Sequence, residues 1–246
     1  MAGSHAARTL GVTATAAALA LGGFAGTAAV AADDNGVVNL DPEQILRRSA
    51  AAFKAADSVH IEIKDDGART GVEEADLSVD RQGNCTGDMK LPDDGGGFAF
   101  MVQADRTTWI KPDDNMLENL TSDSGGPSSP SSETDELEGK WIERDLDGSE
   151  GLEGLKILCN LDTLQTLATT QLTDPVKGER SEIDDTKVIA VTGMANGQEH
   201  TLYVAAEGKP YPVGSESADG ELSAALSDFG ELVTVMPPPA GEVTTL

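Results

Sequence analysis

An α+β fold built on one mostly antiparallel sheet is what the sequence predicts, and three observations carry it. Hydrophobic periodicity begins at helical spacing and switches to two at Val59. The alternating segments that follow are joined by short polar turns, as in a meander with one apolar face. Strand and helix do not alternate along the chain, which disfavours a parallel α/β sheet.

The first helix starts at Asp41-Pro42-Glu43-Gln44. Asp41 is suited to cap, Pro42 to the first helical position, and Gln44 completes a capping-box spacing. Leu46, Ala50 and Phe53 recur on one stripe, flanked by Ile45 and Ala52, so the helix is expected to run to about Ala56. Val59, Ile61 and Ile63 then alternate with His60, Glu62 and Lys64. Ala75, Leu77 and Val79 alternate with Asp76, Ser78 and Asp80. After a turn at Arg81–Asn84, Cys85, Gly87, Met89 and Leu91 share one face. Phe98, Phe100 and Val102 follow the Pro92–Gly97 turn, and a short strand runs through Thr107–Ile110.

Residues 121–139 interrupt this pattern. They are rich in Ser, Gly and Pro and hold five acids and no base. Such a composition buries too little to offset the entropy of ordering, so the stretch reads as a flexible surface insertion. Lys140-Trp141-Ile142 re-enters the fold. Asn160 can cap a second helix from Leu161 to about Leu172, with Leu161, Leu164 and Leu167 on one stripe. Strands are expected again over 177–183, 187–193, 198–205, 211–217, 221–227 and 232–236, with Pro237–Pro239 ending the sheet.

The first 32 residues read as a secretory signal peptide, leaving 33–246 as a single domain. Arg8 precedes an uncharged Ala/Leu-rich run, and Ala29-Val30-Ala31 or Val30-Ala31-Ala32 closes it. Gly11, Gly22, Gly23 and Gly26 dilute the run below what an uncleaved membrane anchor needs. The first cysteine is Cys85, so no lipid is expected at the exit, and no permanent membrane anchor. The chain carries 43 acidic against 17 basic residues, a formal net charge of −26. That charge repels nucleic acid and anionic headgroups at long range. In an exported protein the two cysteines, Cys85 and Cys159, are expected to form a disulfide. Cys85 shares the face of Met89 and Leu91, so the bond would staple the Leu-rich helix to the sheet's inner face.

No constellation with catalytic chemistry emerges. His60 and His200 sit at alternating strand positions outside any metal-ligand spacing, and His60 is expected to face solvent. Gly214-Ser215-Glu216-Ser217-Ala218 fails the nucleophile-elbow pattern at its last position. Asp145, Asp147, Gly148 and Glu150 hint at a calcium loop, but the glycine is misplaced, so a solvated turn is expected. The sequence calls for no catalytic residue, metal or cofactor. Two short helices are thin cover for about ten strands, which leaves two arrangements open: an incompletely covered apolar face with room for an apolar ligand, or a fully packed core without a cavity.

The arrangement resembles the LppX/LprG family of actinobacterial envelope lipoproteins and, more distantly, the LolA-type lipoprotein carriers. The resemblance lies in the opening helix followed by SVHIEI (Ser58–Ile63), GKWIE (Gly139–Glu143), TLYVAAEGKPYPV (Thr201–Val213) and SDFGELVTVMPPPAGEV (Ser227–Val243). It spans nearly all of the chain after the leader and rests on element order and loose motifs. It implies a curved antiparallel half β-barrel with helices on the concave face, enclosing a cavity for acyl chains or a lipoprotein's lipid. Members commonly start with a lipidated cysteine, and this chain departs there. If the sheet curves as the family's does, Val59, Ile61, Ile63, Leu77, Val79, Met89, Phe98, Phe100 and Val102 are the candidates to line the cavity. The expected partner is a hydrophobic small molecule or lipid, with another envelope protein as the alternative, in an extracytoplasmic location.

Overall fold

The computed structural model describes residues 34–66, 71–122, 137–148, 152–168 and 172–245. The leader read over 1–32 and most of the Ser/Gly/Pro stretch, 123–136, lie outside the described residues.

Helix α1 (Pro42–Lys54) opens the fold, with the Asp41 carboxylate accepting from the Gln44 N–H at 2.9 Å, as the sequence predicts. A meander follows: β1 (Ser58–Asp65), β2 (Glu74–Asp80), β3 (Cys85–Lys90), β4 (Gly97–Val102) and β5 (Thr107–Pro112). Helix α2 (Asp114–Ser122) separates it from β6 (Trp141–Asp145), and two short helices come next, α3 (Glu153–Leu158) and α4 (Leu161–Ala168). A second meander comprises β7 (Thr173–Ile183), β8 (Thr186–Ala195), β9 (Gln198–Ala205), β10 (Pro212–Ser217) and β11 (Leu222–Ser227), and β12 (Val243–Thr245) ends the chain.

All twelve strands form one open sheet in the order β12-β6-β5-β4-β3-β2-β1-β11-β10-β9-β8-β7. The two meanders meet where β11 pairs with β1, and every pairing is antiparallel except β12 on β6. Two hairpins of the second meander turn on paired left-handed residues, Asp184-Asp185 and Asn196-Gly197, the backbone that two-residue hairpins favour.

Odd-numbered positions of β1 face the helices. Phe53 of α1, Leu155 of α3, and Leu161 and Leu164 of α4 form one core with Val59, Ile61, Leu77, Val79, Phe100 and Val102. Ile45, eight residues before Phe53 on α1, enters a second core with Val37, Val38, Ile189, Val191 and Val204. A single helix thus covers both meanders. Its buried stripe is Ile45, Ser49 and Phe53, rotated from the expected one, and Leu46 and Ala50 are half-buried. Gly87, on the inner face, is obligatory: a Cβ there would come within 2.1 Å of the Asp76 carbonyl oxygen.

The Cys85–Cys159 disulfide is present, with Cα atoms 5.4 Å apart. It joins β3 to the residue that ends α3 and precedes α4. Two polar ties reinforce it. Gln165 Nε2 of α4 donates to the Phe53 and Ala56 carbonyls, and Arg81 Nη2 donates to those of Lys54 and Ala56.

The structure corrects several expectations. Helices α2 and α3 replace loops, and α1 stops at Lys54. Residues 232–236 are not a strand, and the sheet does not end at Pro237–Pro239, because β12 follows. Beyond β11 the chain must cross the positions of β1–β6 to reach the far side of β6, about 34 Å at ordinary strand spacing. It does so as a strap over the outer face. Gly230 N–H donates to the Ser58 carbonyl and Ser58 Oγ to that of Glu231, and Lys140 Nζ reaches the Gly241 carbonyl at the far edge. An extended segment running across strands has no ladder partner, so an alternating sequence there makes no strand.

Candidate ligand-binding site on the inner face

The inner face is best read as rows of directly paired residues. Val59, Val79, Cys85 and Val102 form the row at the disulfide end. Ile61, Leu77, Gly87, Phe100 and Ile110 form the next, and Ala224, Ile63, Ala75, Met89, Phe98 and Pro112 the third. Burial fades along this series. Val79, Val102 and Leu77 are 0 % exposed and Phe100 1 %, whereas Ile63 and Phe98 are only half-buried.

The nine sequence candidates therefore divide by position. Val59, Val79 and Val102 sit at the sealed end beneath α3 and α4. Ile61, Leu77 and Phe100 fill the middle. Ile63, Met89 and Phe98 stand at the other end, where Met89 is buried and its two neighbours are not. Half-buried apolar side chains fringe this core from other elements too: Val72, Ile110, Leu152, Leu158, Tyr211 and Phe229. Tyr211 and Phe229 stack at 4.0 Å, and Phe229 meets Phe53 edge-on at 5.9 Å. These rings stand at the disulfide end, because Phe229 follows Ser227, the partner of His60, whereas Ile63 and Phe98 stand at the other end.

The same end of β1–β5 borders a pocket of about 560 Å³, lined by the third row and its two flanking rows. The flanks carry opposite electrostatic logic. Lys64, Glu74 and Lys90 alternate in sign across the strands, with Lys90 Nζ also 2.6 Å from Glu73. Glu62, Asp76 and Asp88 oppose one another directly with like charge. Burial, and then the Asp76 carboxylate beside it, push the Asp88 carboxyl above the usual carboxylate range.

The motifs tested for chemistry resolve as local structure. Ser215 lies mid-ladder in β10, paired with Ala224 and Leu202, not on a strand-to-helix elbow. Asp145 Oδ1 accepts from the N–H groups of Asp147 and Gly148, closing a turn. His60 is half-buried, with Nδ1 3.1 Å from Ser78 Oγ and Nε2 facing the Glu62 and Asp76 carboxylates.

No family model and no curated protein matches the chain. Solved structures do. LprF from Mycobacterium bovis is 17% identical with a TM-score of 0.57, covering 80% of this chain and 96% of its own. The lipoprotein LppX from Mycobacterium tuberculosis is 17% identical with a TM-score of 0.51, covering 79% and 98%. This chain has the LprF/LppX fold. At the level of fold, the resemblance read from loose motifs in the sequence is correct.

Sequence reasoning found α4, one of the two helices over the closed end, but missed α2 and α3. Helix α2 did carry a signal, since Asp113 Oδ1 accepts from the Met116 N–H as an N-cap would. Helix α3 spans only Glu153–Leu158, too short for a legible period. No helix among the described residues is long and apolar enough to cross a membrane.

Proposed function

We propose that this chain is an exported carrier or binding protein for a lipid or other acyl-chain ligand, seated on the inner face at the end away from the disulfide. One observation carries the reading: apolar burial fades from the Cys85 row to the Met89 row, leaving Ile63 and Phe98 half-covered. Such side chains gain free energy when an apolar partner removes them from water, at about 25 cal/mol per Å². The LprF/LppX fold supports the same assignment, because the resemblance implies a cavity between helices and sheet. Removal of residues 1–32 as a signal peptide belongs to the proposal, and the disulfide supports an oxidising, extracytoplasmic location.

Bulk substitution tests it. Ile63→Trp or Phe98→Trp is expected to leave the melting temperature nearly unchanged while abolishing binding of a fluorescent fatty-acyl probe. Val79→Trp, at the sealed end, is expected to destabilise by about 1–3 kcal/mol through overpacking. A wild-type protein that binds no apolar probe would end the carrier reading.

A second reading, a non-catalytic interaction or sensor module, has its own observation. The strap leaves Leu232 88 % and Met236 74 % exposed on the outer face, and exposed apolar side chains of this size favour a protein partner. Substituting both with Ser separates the two readings: acyl-probe binding is expected to survive, and partner binding to be lost.

A further inference from the structure

We propose that His60, Glu62 and Asp76 form a binding site for a divalent transition-metal ion, best matched by Zn²⁺, on the outer face of the sheet. His60 and Glu62 alternate on β1 and so project from the same face, and Asp76 of β2 is the direct cross-strand partner of Glu62. One ligand atom from each of the three falls within 4.8 Å of the others. His60 Nε2 lies 3.7 Å from Glu62 Oε1 and 3.6 Å from Asp76 Oδ1.

These separations are too long for hydrogen bonds. They slightly exceed the ligand-to-ligand edge of a tetrahedral zinc site, which is about 3.3 Å for bonds near 2.0 Å. Both carboxylates are more than half exposed and need shift only a few tenths of an ångström, whereas the imidazole is held. Its Nδ1 is 3.1 Å from Ser78 Oγ, so with the proton on Nδ1 the Nε2 lone pair is directed at the carboxylates. Orienting a ligating imidazole through its other nitrogen is the usual support for a metal site.

A separate feature strengthens the assignment. The strap borders a pocket of about 140 Å³ beside His60, and Asp228 and Glu231 of the strap are among its lining residues with Ser78 and Thr86. Asp88, directly opposite Asp76, adds negative charge on the remaining side. The imidazole favours zinc over calcium or magnesium, which take oxygen ligands.

The test is a titration of the untagged, full-length chain with Zn²⁺ alone, followed by calorimetry in chelator-treated buffer. One equivalent is expected to bind. His60→Ala and Asp76→Asn are each expected to weaken binding at least tenfold, whereas His5→Ala and His200→Ala leave it unchanged. Millimolar Ca²⁺ and Mg²⁺ are expected not to compete. Zn²⁺ should raise the melting temperature of the wild type and not that of Asp76→Asn, an exposed conservative change that keeps the test valid if His60→Ala unfolds. Wild-type affinity retained in Asp76→Asn, or loss of binding on replacing His5 or His200 instead, would overturn the assignment. Acyl-probe binding involves the inner face, so its success or failure is independent of this result.

Discussion

The two ends of the inner face are built from similar apolar residues, yet one is sealed and the other is open. Val59, Val79, Cys85 and Val102 lie beneath α3 and α4, held by the disulfide, by Gln165 on the Phe53 and Ala56 carbonyls and by Arg81 on those of Lys54 and Ala56. Ile63, Ala75, Met89 and Phe98 share the strands and the parity but leave Ile63 and Phe98 half-exposed. The difference lies in what stands over the row, not in the row. Strand alternation assigns a residue to a face; covering that face is the work of elements distant in sequence.

The sharpest way to break the sealed end is to remove its staple. Replacing Cys85 and Cys159 together with Ser is expected to cost about 4.5 kcal/mol on the chain-entropy account, since 74 residues separate them. Thermal melting with and without reductant measures it, and a loss below about 1 kcal/mol would show that packing alone holds the helices.

Truncating paired aromatics compares the ends directly. Phe100→Ala is expected to cost about 3–5 kcal/mol, and Phe98→Ala only about 1–2 kcal/mol because much of that ring is already in contact with water. Equal costs in urea unfolding would abolish the distinction between ends.

A smaller effect concerns the helix that spans both cores. Asp41→Ala removes the cap that accepts from Gln44, and about 1 kcal/mol of stability should be lost without change in probe binding. Chemical denaturation with an unchanged slope would check it.

The smallest prediction lies in the second meander. Tyr203 donates to Glu216, and this bond, followed by burial, pushes the phenol up to about 12. The folded value is raised above the ordinary one near 10, so the stabilisation is complete below about pH 10 and is lost as pH rises through about 12. Phenolate absorbance should titrate near pH 12 in the wild type and nearer 10 in Glu216→Gln. A midpoint unmoved by that substitution would remove Glu216 as the cause.

Much of the fold was legible because its signals are local. Asp41-Pro42 announces α1, and alternation from Val59 to Val102 announces four strands with correct parity. The disulfide followed from the expectation of export and from the face that Cys85 occupies. Residues 232–236 misled because alternation indicates an extended backbone, and an extended backbone pairs only when a strand lies beside it. The strap crosses its neighbours instead. The cluster of His60, Glu62 and Asp76 was illegible for a related reason: its third member arrives through the β1–β2 register.

By itself the sequence determined the α+β class, the inward set of strand residues, the pairing of Cys85 with Cys159 and the net negative charge. These follow from backbone periodicity, export chemistry and composition, each readable over a short stretch or as a sum. Only the tertiary structure decided that β11 pairs with β1, that β12 joins β6 in parallel, and that α3 and α4 seal one end of the inner face while Ile63 and Phe98 remain half-covered. Those outcomes depend on long-range pairing and on competition among elements for the same apolar surface, and no local window of sequence contains both competitors.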